Sequence, residues 1–287
     1  MPRAGGAIAT IAFVGVAAAA VVWGPGLYAD FTDHPASNRC TVSADTGSYS
    51  LSPEQANNAA IIATVGWVYG ADEQGVTVAL ATAIQESGLR NLDYGDRDSV
   101  GLFQQRTSQG WGTIEQIMDP RYSAAMFYLG LAKVDGWQDL PVTEAAQAVQ
   151  RSGFPDAYAD HEDEGRVWAN ALGGIEGVMS CDLSAPEAAT AQALSERVGL
   201  DFPNAGFGVD VIDYEGTTTV LGVRPPDASD QSLRRLQAWA IATSSTTGVT
   251  WADFRGELWN RDGSRVVGYP TSEWAAYPGV RLGLETG

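Results

Sequence analysis

The chain has 287 residues, with 17 Lys and Arg against 35 Asp and Glu, a formal charge of -18 and a pI of 4.3. This balance argues against a nucleic-acid partner, because phosphate binding needs basic patches, and it disfavours adhesion to anionic surfaces. Lys133 is the only lysine, so Schiff-base chemistry would have a single candidate.

Residues 1–29 carry Arg3 and then no charge before Asp30. That apolar length can cross a hydrocarbon layer of roughly 30 Å, so it predicts an N-terminal membrane helix, with Arg3 holding the amino terminus in the cytoplasm. Leu27 spoils a small-residue cleavage site at Tyr28-Ala29, which favours an uncleaved anchor over a removed signal. Export also makes Cys40 and Cys181 readable as a disulfide pair, since neither has a Cys or His at metal-ligand spacing. Residues 30–51, rich in Ser, Thr, Asp and Pro, read as a linker.

Ser52-Pro53-Glu54-Gln55 supplies an N-cap, a first-turn proline and a capping-box glutamine for a helix with Ala56, Ala59, Ala60, Ala63 and Trp67 at helical spacing, ending near Gly70. A second helix runs from about Gln74 to Gly88. Val78, Ala81 and Ile84 make its other faces apolar as well, so it should be central and buried nearly all round, with Glu86 in its last turn. Asp119-Pro120 starts a third helix with Tyr122, Ala125, Met126 and Leu129 facing inward. Thr143 starts another, which Gly153 and Pro155 end, and one more spans about 160–172. There His161, Glu162, Asp163 and Glu164 fan around the axis and do not converge, which predicts a solvated acidic turn and no metal site.

Beyond Cys181 there is no His, Cys or Lys. A short helix ends near Arg197, GVDVIDY and TTTVLGV alternate around Glu215-Gly216 as a hairpin would, Leu233, Leu236 and Ala240 mark a helix, and residues 250–269 read as two strands turning at Asp262-Gly263. The expected fold is therefore an N-terminal membrane helix, a mainly α domain over 52–183 and a small C-terminal α/β domain over 187–287. The last is expected to bind or pack and not to catalyse.

The chemistry gathers in AIQESGLRNLDYGDRDSVGLFQQ, residues 83–105. A carboxyl at the end of an apolar helix loses solvation in its charged form, which suits a general acid, whereas Asp93, Asp96 and Asp98 on a Gly-containing polar loop would stay ionised. Glycosidic cleavage uses such a division of labour: one acid protonates the leaving oxygen while a second carboxylate activates water or stabilises the cationic sugar. Tyr94, Trp111 and Tyr128 are candidates for stacking on sugar faces, and Gln104 and Gln105 for bonding sugar hydroxyls and N-acetyl groups.

Glu86-Ser87 followed by Gly101-Leu102-Phe103-Gln104 resembles the lysozyme-like superfamily that contains lytic transglycosylases and goose-type lysozymes, and the stretch is similar to exported actinobacterial transglycosylase-like proteins. Gly95-Asp96-Arg97 resembles the goose-type loop whose aspartate is the second acid, with Asp98 in reserve, and Asp119-Pro120 and Tyr128-Leu129 follow in the family's order over about 52–172. Gln150-Arg151-Ser152-Gly153 stands where the family has Tyr-Asn-Ala-Gly. The resemblance implies a lysozyme-like domain and an extracytoplasmic peptidoglycan glycosidase that cleaves the β-1,4 bond between N-acetylmuramic acid and N-acetylglucosamine. Glu86 would be the acid, Asp96 or Asp98 the second carboxylate, and Ser87, Tyr94, Gln104, Gln105 and Tyr128 would contact substrate. No cofactor or metal is implied. The partners would be glycan strands and, through residues 1–29, the membrane. The departure at Gln150-Arg151 leaves a second expectation, a glycan-binding or scaffolding protein without turnover.

Overall fold

The computed structural model describes residues 36–268 and 277–285. The expected membrane helix lies outside them. Among the described residues no helix is long and apolar enough to cross a membrane.

The chain opens with strands β1 (Arg39–Ala44) and β2 (Gly47–Leu51), joined by a tight turn. These residues had read as a linker. They form a sheet in the order β2-β1-β5 with the later strand β5 (Val178–Asp182). Cys40 and Cys181 are register partners across β1 and β5 and form the expected disulfide. At a sequence separation of 141, the crosslink contributes on the order of 4 to 5 kcal/mol if loop entropy alone is counted.

Helices α1 (Pro53–Val68) and α2 (Glu73–Ser87) follow, then a two-stranded pair, β3 (Ser99–Val100) and β4 (Gln105–Arg106). Short α3 (Ile114–Ile117), α4 (Pro120–Leu131), α5 (Val142–Gln150) and α6 (Glu162–Leu172) complete the helical layer. As expected, α2 is buried continuously from Gly75 to Ala83, packed against α1, α4, α5 and α6. Its Thr77 and Thr82 hydroxyls survive burial by bonding carbonyls one turn back. Gly165 lets α6 approach closely: a Cβ there would sit 3.0 Å from Ala81 N. On α4 the inward face is Ala124, Phe127, Tyr128 and Leu131, one position away from the expected stripe, and Leu129 is exposed.

The rest comprises α7 (Ala191–Asp201), β6 (Gly208–Glu215), β7 (Thr218–Arg224), α8 (Asp230–Ala242), α9 (Ser244–Thr247), β8 (Val249–Phe254), β9 (Glu257–Asn260), β10 (Arg265–Val267) and β11 (Val280–Glu285). The strands form one antiparallel six-stranded sheet, ordered β10-β9-β8-β11-β7-β6. The hairpin at Glu215-Gly216 and the helix carrying Leu233 are as expected. The segment 250–269 makes three strands and not two, because Arg255-Gly256, both at positive φ, adds a turn before Asp262-Gly263.

The expectation of a mainly α domain with a small α/β appendage is thus corrected. Among the described residues about 44 % are helical and 23 % strand, and the largest sheet is antiparallel. One hydrophobic cluster runs from Val42 through α2 and α8 to Leu284. Buried Asp201 fastens the parts together: it accepts from Arg121 of α4, from Arg197 Nε at 2.7 Å and from Trp239 Nε1 of α8 at 2.8 Å. The guanidinium of Arg235 also lies 4.1 Å over the Trp67 ring of α1.

Candidate active site at the end of helix α2

Helix α2 stops at Gly88, which takes the left-handed conformation, and Leu89 continues at φ 58. Two consecutive left-handed residues need support when the second carries a buried side chain. Helix α1 provides it. Gln55 closes its own capping box and also donates Nε2 to Gly88 O at 2.7 Å, and Asn58 Nδ2 donates to Leu89 O at 2.9 Å. The last turn of α2, with Glu86, is therefore held from outside the helix.

Glu86 is half-buried, and its Oε1 accepts a hydrogen bond from the Tyr158 hydroxyl at 2.7 Å. Tyr158 is 1 % exposed, in a single 3-10 turn, Ala157–His161, that leads into α6. Burial, opposed by a bond from Ser152 and reinforced by the neighbouring Glu86, pushes the phenol well above its ordinary range. It therefore remains a donor at any working pH. Among the described residues nothing bonds Glu86 Oε2. Next to this pair, His161 Nε2 and Gln85 Oε1 are 2.8 Å apart.

Sequence reasoning missed Tyr158, which falls between the helix that Gly153 and Pro155 end and the one expected over about 160–172. The available signal was weak: a tyrosine shortly after Phe154-Pro155, in a stretch between two helices that carries no periodicity. Nearby, Gln150 Nε2 donates to Phe103 O at 2.9 Å, so the residue at the departure from the family motif bonds the GLFQ loop itself. Ser87 does the same from α2: its hydroxyl bonds Leu102 O at 2.7 Å and Ala83 O at 3.1 Å. The 101–104 loop thus joins the end of α2 to the end of α5, and Ser87 is a fastener there.

The acidic loop behaves differently from expectation. Asp96 is 89 % exposed on its side chain and only loosely paired, with Arg97 Nε at 3.7 Å. Asp98 is fully engaged, accepting from Arg106 Nε at 2.8 Å, Ser108 N at 2.8 Å and Ser108 Oγ at 2.9 Å. The Ser108 backbone bond first, then the Arg106 and Ser108 side chains, hold this carboxyl far below the usual range. It stays ionised and clamps the β3–β4 loop, leaving no role in proton transfer. Asp93 is exposed.

The remaining candidates divide by burial. Tyr94 is 68 % exposed at the loop tip. Gln104 is half-buried at φ 46, with its amide against Gly95 and its Nε2 3.3 Å from Tyr94 O. Gln105 is buried and donates to Ser123 O, and Tyr128 is buried with its hydroxyl on Ile62 O, so both belong to the core and not to a sugar-facing surface. Among the described residues no cluster of three metal-ligating side chains occurs. In the acidic turn, Glu162 pairs with Arg166, while burial raises the Glu164 carboxyl above its ordinary range.

No protein-family model matches the chain, and no curated protein matches it.

Proposed function

We propose that the chain is a peptidoglycan-cleaving glycosidase of lysozyme-like type in which Glu86 is the general acid. The observation that carries the reading is the Glu86–Tyr158 pair: a half-buried carboxyl at the end of a buried helix, fixed by a permanent donor on Oε1 with Oε2 open. In the proposed reaction Oε2 delivers its proton to the bridging oxygen between N-acetylmuramic acid and N-acetylglucosamine, and the bond from that oxygen to muramyl C1 breaks. The Glu86 carboxylate then takes the proton of the substrate's own C6 hydroxyl as that oxygen closes onto C1. The product is a 1,6-anhydro sugar, as in lytic transglycosylases. This route is preferred to inverting hydrolysis because Asp98 is consumed by Arg106 and Ser108 and Asp96 stands in solvent, so neither is held as the base that water attack needs across roughly 6.5 to 9.5 Å.

The disulfide supports an oxidising, extracytoplasmic setting. Tethering through residues 1–29 belongs to the proposal. Digestion of purified peptidoglycan with product masses read by spectrometry tests the whole reading. Anhydro ends support a transglycosylase, reducing ends a hydrolase, and co-sedimentation without cleavage the glycan-binding alternative favoured by Gln150-Arg151.

A further inference from the structure

Most cations of this acidic chain are neutralised locally, as Arg106 is by Asp98, Arg121 and Arg197 by Asp201, and Arg281 by Asp253. Lys133 and Arg151 are not: among the described residues neither side chain forms an ion pair or a hydrogen bond. Both line one groove of about 520 Å³ between the ends of α4 and α5, together with Trp111, Gln109 and Gln150. Among the described residues no Asp or Glu lines it. Two free cations without an acid are unexpected where acids outnumber bases 35 to 17.

The fold explains how cations are tolerated there. Lys133 follows the C-terminal turn of α4 and Arg151 is the C-cap of α5, where the helix dipole favours positive charge. It does not explain why they face a groove with an aromatic wall and two amides, the composition of a small-molecule site, at a volume in the range of roughly 300 to 1,000 Å³. The groove is tied to the end of α2 through the 101–104 loop. Gln150 lines it and bonds the Phe103 carbonyl, next to the Leu102 carbonyl that the Ser87 hydroxyl bonds.

We infer that this groove is a subsite for a carboxylate-bearing glycan, with Trp111 against the sugar and Lys133 and Arg151 on the carboxylates. The inference rests on the glycosidase reading and specifies its substrate: strands carrying free acid groups, either the lactyl carboxylate of bare muramic acid or the carboxylates of an attached peptide. A neutral chitin-like strand would leave both cations unpaired.

The test uses the full chain carrying Glu86→Gln, so that ligands survive, and measures binding by calorimetry to three probes. These are neutral chitooligosaccharides, peptide-free glycan oligomers with lactyl carboxylates, and muropeptide oligomers with stem carboxylates. The expected result is affinity about tenfold higher for at least one acidic probe than for the neutral one, an advantage that shrinks as salt is raised. Which acidic probe shows it identifies the source. Lys133→Gln with Arg151→Gln should bring the affinity for acidic probes down to that for the neutral one, while Lys133→Arg with Arg151→Lys should keep the advantage. Both side chains are exposed, and circular dichroism checks the fold of each variant. Equal affinity for all probes, binding to none, or an advantage that persists in the double glutamine variant would overturn the inference. The glycosidase reading is tested apart from this, by cleavage with Glu86 intact.

Discussion

The hydroxyl of Tyr158 donates to Glu86 Oε1 across 2.7 Å, joining a 3-10 turn before α6 to the last turn of α2. Because burial raises the phenol above its ordinary range, Tyr158 remains a donor to this carboxyl near neutral pH. Tyr158→Phe keeps the ring packing and removes only this donor. Cleavage should fall about ten- to a hundredfold, with a stability loss of about 1 kcal/mol. Turnover on peptidoglycan and chemical denaturation, measured on the same preparation, check both numbers. An unchanged turnover would show that the bond does not serve the reaction.

Asp98 predicts a pH dependence of stability. Its folded carboxyl is held below the unfolded value, so the unfolded state binds more protons as pH falls. The stability it contributes is complete above about pH 4, the ordinary aspartate value, and drains as pH drops below that towards the depressed folded value. Asp98→Asn should therefore be less stable than the wild type at pH 6, with the gap closing towards pH 2. Melting curves across that range measure it. A gap independent of pH would contradict the clamp described for Arg106 and Ser108.

Asp201 tests whether the helical layer and the six-stranded sheet fold as one. It is buried and accepts from Arg121, Arg197 and Trp239, on α4, α7 and α8. Asp201→Asn removes the charge that two guanidinium groups face, and the expected cost is on the order of 3 kcal/mol. Denaturant unfolding followed by tryptophan fluorescence and by far-ultraviolet circular dichroism should shift together. Two separated transitions would show that the parts unfold independently.

Local chemistry made the helices readable: the Ser52 capping box, the left-handed stop at Gly88 and the unbroken apolar run of α2 are all where the residues indicate. The cysteine pairing was readable from count and compartment. What escaped depends on contacts between distant segments. Five of the eleven residues of β1 and β2 are Ser, Thr or Gly, and the hairpin is completed as a sheet only where β1 pairs with β5, far along the chain. Strand β11 is buried at every position from Val280 to Leu284, so it lacks the alternation of a half-exposed strand. The α4 face slipped by one residue because Tyr122, Ala125, Met126 and Leu129 also keep helical spacing.

The site shows the same division. Glu86 was legible because a carboxylate ending an apolar helix is anomalous on its own. Tyr158 was not, since a 3-10 turn has no periodicity. The role of Asp98 depends on where Arg106 and Ser108 fold back, which spacing does not reveal.

The most direct measurement is the release of soluble fragments from purified peptidoglycan by the wild type and by Glu86→Gln at matched folded concentration. Removing the proton donor while keeping the Tyr158 bond should abolish release of 1,6-anhydro fragments and leave the melting temperature within about a degree or two. Equal release by both proteins, or none by the wild type, would contradict the account.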